Sequence, residues 1–236
     1  MYLYETHLHT FPVSRCGRAS VRESLEFYKS IGYDGVFVTN HFLDGNINID
    51  GEMDYKDAVE FYFSDYECGK ALEEEIGIKV FCGVELSYRG TDFLVYGLDK
   101  EWYLAHPEIM DMKKTDELAL MRESGALVIQ AHPYREADYI DHIRLFPRSV
   151  DGVEIVNATV NDLGNRMANF YAENYELRPF GGSDNHSAHD RVRLAGVGSD
   201  KPADSVDDFI AMFKSGDMKV FEMIYREEDG IWQRQS

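Results

Sequence analysis

The feature that most constrains the fold of this 236-residue chain is a regular alternation of short apolar runs and amphipathic stretches. The runs have the length and composition of buried strands, and the stretches between them have helical spacing. Strands that alternate with helices imply a parallel sheet covered by helices, which predicts an α/β barrel or sandwich. The predicted strands are 2–6, 35–39, 79–84, 93–97, 126–131, 153–156, 178–182, 194–197 and 218–221. The predicted helices are 20–30, 54–75, 107–124, 140–146, 162–175 and 204–215.

Side chains that can bind metal ions lie at the ends of several of these strands. In a closed parallel barrel the carboxyl ends of the strands form one rim, where groups from different strands meet. His7 and His9 are two residues apart, so an extended strand directs both imidazoles to the same side. Imidazoles and carboxylates bind Zn, Mn or Fe, and the sequence therefore predicts a cation site at this rim. The candidate ligands are His7, His9, His41, Glu85, His132, Asp184 and His186.

Other titratable residues have weaker claims to the site. His106 precedes a proline at a predicted helix start, and His142 lies in a predicted helix, so we expect capping, solvated or packing positions for both. His189 lies in a polar loop, where a metal or substrate role and a solvated position both remain open. Glu154 alternates with apolar neighbours on its strand, which favours a supporting or packing role over direct metal binding.

The composition limits the partners of the chain. A formal net charge of −19 argues against non-specific nucleic-acid binding, which depends on Lys and Arg to neutralise phosphates. No apolar run approaches the roughly 20 residues that span a bilayer, and the start of the chain lacks a signal-peptide pattern. The three cysteines include no CxxC pair, so no disulfide framework is expected. We therefore expect a cytoplasmic protein with no membrane partner.

Five ordered motifs between residue 6 and about residue 190 resemble those of the PHP (polymerase and histidinol phosphatase) superfamily. The resemblance implies a distorted (β/α)7, TIM-like barrel with its metal site at the C-terminal ends of the strands, and we expect one such domain over residues 1–236. The motifs are Thr6-His7-Leu8-His9-Thr10, Val38-Thr39-Asn40-His41, Gly83-Val84-Glu85, Ala131-His132-Pro133 and Gly182-Ser183-Asp184-Asn185-His186.

The resemblance also implies a set of two or three divalent metal ions, Zn, Mn or Fe. By position, one metal would be bound by His7, His9, Glu85 and Asp184. A second would be bound by Glu85 and His132, with Glu85 and a hydroxide bridging the pair. His41 and His186 would belong to a third site in members that have one. The implied activity is hydrolysis of a small phosphorylated molecule by the metal-bridging hydroxide, and His41, His186 and His189 remain alternative proton donors to the leaving group.

Three positions depart from the family pattern. Arg15 stands where three-metal members commonly have a histidine, and its guanidinium could replace the third cation and bind a phosphate oxygen. Asp92 stands where many members have another histidine, and a carboxylate can serve as a metal ligand there. Asn40 replaces the usual aspartate before His41, which is expected to alter the support of the ligands. Arg135 is a second candidate phosphate contact, with Arg18, Arg191 and Arg193 as weaker ones.

Two other classes of function fit the same residues. One is a metal-binding barrel without turnover that has a structural or regulatory role. The other is an amidohydrolase-type enzyme that cleaves a C–N bond, although such enzymes often have a strand-end lysine where this chain has Glu85. The substrate and the oligomeric state are left open by the sequence.

Overall fold

The computed structural model describes residues 1–235 as a mixed α/β fold built on a curled ten-stranded sheet. The strand order is β10-β9-β8-β1-β2-β3-β4-β5-β6-β7. The strands are β1 (Tyr2–Leu8), β2 (Gly35–Val38), β3 (Lys79–Tyr88), β4 (Thr91–Tyr96), β5 (Leu127–Ala131), β6 (Gly152–Asn157), β7 (Arg178–Gly182), β8 (Arg193–Ser199), β9 (Met218–Arg226) and β10 (Ile231–Gln235). The helices are α1 (Val21–Ser30), α2 (Tyr55–Ala71), α3 (Glu73–Ile76), α4 (Lys100–Ala105), α5 (Lys114–Glu123), α6 (Asp162–Tyr175) and α7 (Val206–Ser215), with a 3-10 helix at Pro107–Asp111.

The sheet curls until its last strand in the order, β7, reaches the buried central strand β1. The hydroxyl of Thr6 in β1 donates to the carbonyl of Gly181 in β7 (2.6 Å), and Leu8 forms an isolated parallel bridge with Asn185. The result is a half-barrel of the TIM-like kind. Its curvature brings the carboxyl ends of β1, β2, β5 and β7 to one rim.

The expected all-parallel arrangement is only partly present. Parallel pairing joins β1 to β2 and β2 to β3, and again β5 to β6 and β6 to β7. However, β4 runs antiparallel to both of its neighbours, and β8, β9 and β10 are antiparallel. The cause at β4 is the two-residue turn Arg89-Gly90, whose φ values of 51° and 78° suit a tight hairpin that only antiparallel strands can share.

The predicted helices are present with changed boundaries, and one is absent. Helix α1 begins at the expected Ser20 cap, where Ser20 and Glu23 form a reciprocal capping box. The predicted helix 107–124 divides into the 3-10 helix and α5, and α4 and β10 were not predicted. Residues 140–146 are not helical, because Gln130 of β5 bonds the carbonyl of Arg144 and the N–H of Phe146 and holds the segment against the strand.

Aromatic packing fills the interior of the curled sheet. Phe37 stacks on Phe81 at 4.8 Å between ring centroids, and Tyr4 meets Phe209 of α7 edge-on at 5.7 Å. Tyr96 also contacts Phe37, and its hydroxyl donates to the carbonyl of Thr6. These aromatic contacts therefore stabilise the position of β1 within the curled sheet. Among residues 1–235, no helix has the length and apolar character required to cross a bilayer.

Candidate metal centre

Two pairs of parallel strands bring the first candidate ligands together. His7 lies near the end of β1 and His9 follows it, while β2 ends before His41 and β3 continues past it. His41 consequently forms an isolated parallel bridge with Glu85. Glu85 was expected at a strand end, but it lies inside β3, at the point where the shorter β2 leaves its neighbour uncovered.

Two further buried candidate ligands, His132 and Asp184, occupy strained backbone positions. His132 follows β5 with φ of 25°, and Asp184 follows β7 with φ of 51°. Residues with a Cβ rarely adopt this left-handed region, at a cost of about 1–3 kcal/mol each, and such strain collects at functional sites. The surrounding fold therefore enforces both turns, and each one directs its side chain into the same cluster.

The inner cluster consists of His7, His9, Glu85, His132 and Asp184, and all five are buried. Glu85 is at its centre, with Oε1 at 3.1 Å from Nε2 of His7 and 3.4 Å from Nε2 of His132. Nε2 of His9 is 3.3 Å from both Oε2 of Glu85 and Oδ1 of Asp184. The ligand atoms form two close groups: those of His7, His9 and Asp184, and those of His7, Glu85 and His132.

These residues fit divalent cations because several of their buried polar atoms have no hydrogen-bond partner. Within residues 1–235, Oε2 of Glu85, Nδ1 of His41 and Nε2 of His132 are each buried and unpaired. Nδ1 of His41 and Oε2 of Glu85 are only 2.7 Å apart, but they are not aligned for a hydrogen bond. Leaving such groups unpaired costs free energy, whereas a shared cation satisfies them together.

Glu154 fixes the orientation of His7 from behind. Its Oε1 accepts a hydrogen bond from Nδ1 of His7 (3.0 Å), and its Oε2 accepts from the backbone N–H of His132 (3.0 Å). Because the carboxylate of Glu154 accepts at Nδ1, the neutral form of His7 carries its one proton there and presents the lone pair of Nε2 to the cluster. Glu154 lies at the supporting position expected from the sequence.

Mutual electrostatics keep both inner carboxylates ionised. Burial opposes ionisation of Glu85, but the imidazoles of His41, His7 and His9 hold the pKa of Glu85 well below its usual value. Asp184 is similar: burial opposes ionisation, and His7 leads the groups that lower its pKa. Burial also lowers the pKa of His9 well below its usual value, helped by His186 and His41. A neutral imidazole and two carboxylates are the forms that bind metal.

A second group of donors adjoins the inner cluster and contains Cys16, which the sequence patterns do not indicate as a ligand. Ligand atoms of His9, Cys16, His41 and His186 all lie within 4.8 Å of one another. Nδ1 of His186 donates to the carbonyl of Asp184 (2.9 Å), which leaves Nε2 with the lone pair. Burial opposes ionisation of the Cys16 thiol, but the imidazoles of His186 and His41 beside it lower its pKa to about 6.

The asparagine that departs from the family pattern takes part in a buried network. Oδ1 of Asn40 accepts from the backbone N–H of Thr10 and from the hydroxyl of Ser14 (2.7 Å each). The amide of Asn40 faces Oδ2 of Asp65 in α2 (3.3 Å), which also accepts from the hydroxyl of Thr10 (2.7 Å). Ser14 lies 3.3 Å from Nδ1 of His9, so the network supports that ligand from outside.

The structure does not bring every predicted residue to the cluster. The guanidinium of Arg15 points away and donates to the carbonyl of Ile49 and to Asp50 (3.0 Å each), so it does not replace a cation. His189 is exposed and packs edge-on against Phe27 at 5.2 Å between ring centroids, outside the cluster.

Two other predicted residues lie at the border of the cluster. Asp92 is the second residue of the antiparallel β4, which places it at the rim, with Oδ2 at 3.8 Å from Nε2 of His132. Nη1 of Arg135 donates to Oδ2 of Asp184 (3.1 Å), and the side chain is about one-third exposed. The ring of His106 stacks on Trp102, and His142 is exposed. Neither histidine belongs to the two groups of metal-binding donors.

Comparison with solved structures identifies proteins that share this fold. The chain has the fold of PHP-like metal-dependent phosphoesterases, in agreement with the resemblance seen in its motifs. No protein-family model and no curated protein matches the sequence.

Three structures illustrate the similarity. A two-domain protein from Bacteroides vulgatus ATCC 8482, containing a predicted PHP-like metal-dependent phosphoesterase, has a TM-score of 0.67 and 13% identity over 93% of this chain. The chain spans 64% of that protein. PsfC from Pseudomonas syringae PB-5123 has a TM-score of 0.58 and 19% identity, over 89% of this chain and 88% of its own. A putative metal-dependent phosphoesterase from Bifidobacterium adolescentis ATCC 15703 has a TM-score of 0.53 and 13% identity, over 89% of this chain and 95% of its own. At these identities the likeness concerns the fold.

Proposed function

We propose that the chain is a metal-dependent phosphoesterase that hydrolyses a small phosphorylated molecule. The observation that carries this proposal is the buried carboxylate of Glu85, which faces four imidazoles and has an oxygen without a hydrogen-bond partner. A buried carboxylate in these surroundings is best explained as a bridge between two cations. The fold shared with structures described as metal-dependent phosphoesterases supports the same reaction class.

Each residue has a distinct task in this proposal. His7, His9, Glu85 and Asp184 would hold one divalent cation, and Glu85 and His132 would hold the other, with Asp92 at its edge. The chemistry that such cations supply is a lowered pKa for water and neutralisation of charge on phosphoryl oxygens. The donor atoms of the protein are pre-positioned, so they need little reorganisation during the reaction.

Arg135 is the proposed phosphate contact. Its guanidinium is held beside Asp184 at the border of the cluster and is still partly exposed, so it can meet an incoming anion. Arginine offers a planar pair of donors that matches two phosphate oxygens. Local positive charge is needed here because the chain as a whole carries a formal charge of −19, which repels anionic substrates.

Metal removal and replacement tests the proposal. The purified protein is treated with a chelator, reloaded with Mn²⁺ or Zn²⁺, and incubated with panels of aryl phosphates and of amides. We expect hydrolysis of phosphoesters only after reloading, and its loss in Asp184→Asn but not in the exposed control Asp190→Asn. Metal binding without any turnover would favour the non-catalytic barrel, and turnover of amides alone would favour the C–N hydrolase; either result would overturn the proposal.

A further inference from the structure

The second group of donors, formed by His9, Cys16, His41 and His186, differs from the inner cluster because it contains sulfur. Cys16 offers its Sγ within 4.8 Å of ligand atoms of His9, His41 and His186. Its thiol is free, and the side chain is partly exposed, whereas His9 on the inner side is fully buried. The four residues therefore form a partly open site at the mouth of the cluster.

The backbone after β1 is folded tightly in a way that holds Cys16 there. The N–H of Ser14 donates to the carbonyl of Thr10 (2.9 Å), and the N–H of Gly17 donates to the carbonyl of Ser14 (3.0 Å). A Cβ at Gly17 would lie 2.6 Å from the carbonyl carbon of Thr10, so this close approach requires glycine. The N–H of Arg18 then donates to the carbonyl of His186 (2.7 Å), which ties this loop to the segment carrying His186.

An independent observation points to a ligand at this position. Nδ1 of His41 is buried and has no hydrogen-bond partner within residues 1–235, and neither has the nearby Oε2 of Glu85. The ring of His9 stacks against both His41 and His186, with centroids 4.4 Å apart in each pair. Three imidazoles are thus crowded beside one thiol, although the hydrogen bonds within the protein do not account for all of their nitrogens.

We infer that Cys16, His41 and His186 form an outer metal position with a thiolate ligand, which prefers Zn²⁺ to Mn²⁺. The inference rests on the proposed metal centre, to which it adds the identity of one ligand and a metal preference. A thiolate with imidazoles suits Zn²⁺, whereas Mn²⁺ prefers carboxylate and water oxygens. From the family pattern Arg15 is the residue expected at this place, but the adjacent residue Cys16 is the one that lies beside His41 and His186.

Cobalt substitution tests the sulfur ligand without relying on hydrolysis. The chelator-treated protein is titrated with Co²⁺, and near-ultraviolet absorption is recorded for a cobalt–thiolate charge-transfer band. We expect the band in the wild type and in the exposed-cysteine control Cys68→Ser, and its loss in Cys16→Ser. Cys16→His should bind as many metal ions as the wild type but show no band. No band in the wild type, or a band that persists in Cys16→Ser, would overturn the inference.

Alkylation of the wild-type protein gives a second readout that does not depend on a variant folding. At a Zn²⁺ concentration about ten times its dissociation constant, the reaction of Cys16 with iodoacetamide should slow about tenfold, as mapped by mass spectrometry, because only the metal-free fraction offers a reactive thiolate. Mn²⁺ should protect it much less, and Cys68 should react equally in all samples. Equal reactivity of Cys16 with and without Zn²⁺ would overturn the inference even if phosphoesters are hydrolysed.

Discussion

Replacing Glu154 by glutamine should weaken metal binding although Glu154 is not itself a proposed ligand. Glu154 is fully buried, and its two oxygens accept from Nδ1 of His7 on one side and from His132 N–H and Asn157 Nδ2 on the other (2.9–3.0 Å). Glutamine keeps the shape but replaces one oxygen with a donor. If the new NH₂ group replaces Oε2, it faces the N–H donors of His132 and Asn157. If it replaces Oε1, it faces Nδ1 of His7 and forces the proton of His7 onto Nε2.

The expected loss follows from the second arrangement. A proton on Nε2 of His7 removes the lone pair that faces Glu85 and Asp184, so His7 can no longer bind metal in this orientation. Loss of such supporting partners typically costs 10- to 100-fold in metal affinity, equivalent to about 1.4–2.7 kcal/mol. We expect a decrease of this size for Glu154→Gln, with the effect concentrated at the inner cluster.

Competition with a chromophoric chelator measures this change in Zn²⁺ affinity directly. The matched control is Glu123→Gln, the same exchange at the exposed end of α5, which should bind metal as the wild type does. Thermal unfolding of the metal-free proteins separates a general loss of stability from a loss of affinity. Unchanged affinity in a folded Glu154→Gln protein would refute the assignment of the His7 proton to Nδ1.

Three further predictions concern the borders of the site and the scaffold. Arg135→Ala should lower kcat/KM for phosphoesters about 10- to 100-fold, because charge-assisted hydrogen bonds contribute roughly 1.5–3 kcal/mol, whereas Arg15→Ala should leave it unchanged. Asp65→Ala should lower the free energy of unfolding by about 3 kcal/mol in denaturant titrations, because it removes the acceptor of the buried Thr10 hydroxyl and of the Val13 N–H and one of the two acceptors of the Asn40 amide. Burial raises the pKa of Glu117 from 4.5 to about 7 despite the adjacent Lys114. The folded state therefore retains a proton that the unfolded state releases, so stability should fall by up to about 3 kcal/mol as the pH rises between these values, and Glu117→Gln should flatten that fall.

The inner cluster could be predicted from sequence because its residues lie where predicted strands end. His7, His132 and Asp184 follow or close apolar runs that are easy to recognise, and parallel strands bring such ends together. Strand direction was harder to predict. The antiparallel course of β4 depends on positive φ at Arg89, which is uncommon for a residue with a Cβ. Because β4 is reversed, Asp92 reaches the rim from the beginning of its strand and not from the end.

Cys16, in contrast, could not be assigned from the sequence. It lies in an irregular loop, where no periodicity reports the direction of a side chain, and it is adjacent to an arginine that also resembled a site residue. Which of the two faces His41 depends on the tight fold of residues 10–18, and that fold is set by Gly17 and by contacts more than a hundred residues away at His186. A difference of one position along the chain therefore decides whether His41 faces the guanidinium of Arg15 or the thiol of Cys16.

The buried network around Asn40 shows why a family departure need not weaken a site. An aspartate at position 40 would place a second carboxylate beside Asp65, and like charges that are buried together disfavour ionisation of both. Asparagine avoids this repulsion and adds a donor that faces Oδ2 of Asp65. The negative charge is thus supplied by α2, while Oδ1 of Asn40 still accepts from Thr10 and Ser14. On this reasoning Asn40 and Asp65 act as a unit, so the double exchange Asn40→Asp with Asp65→Asn should retain more stability than either single exchange.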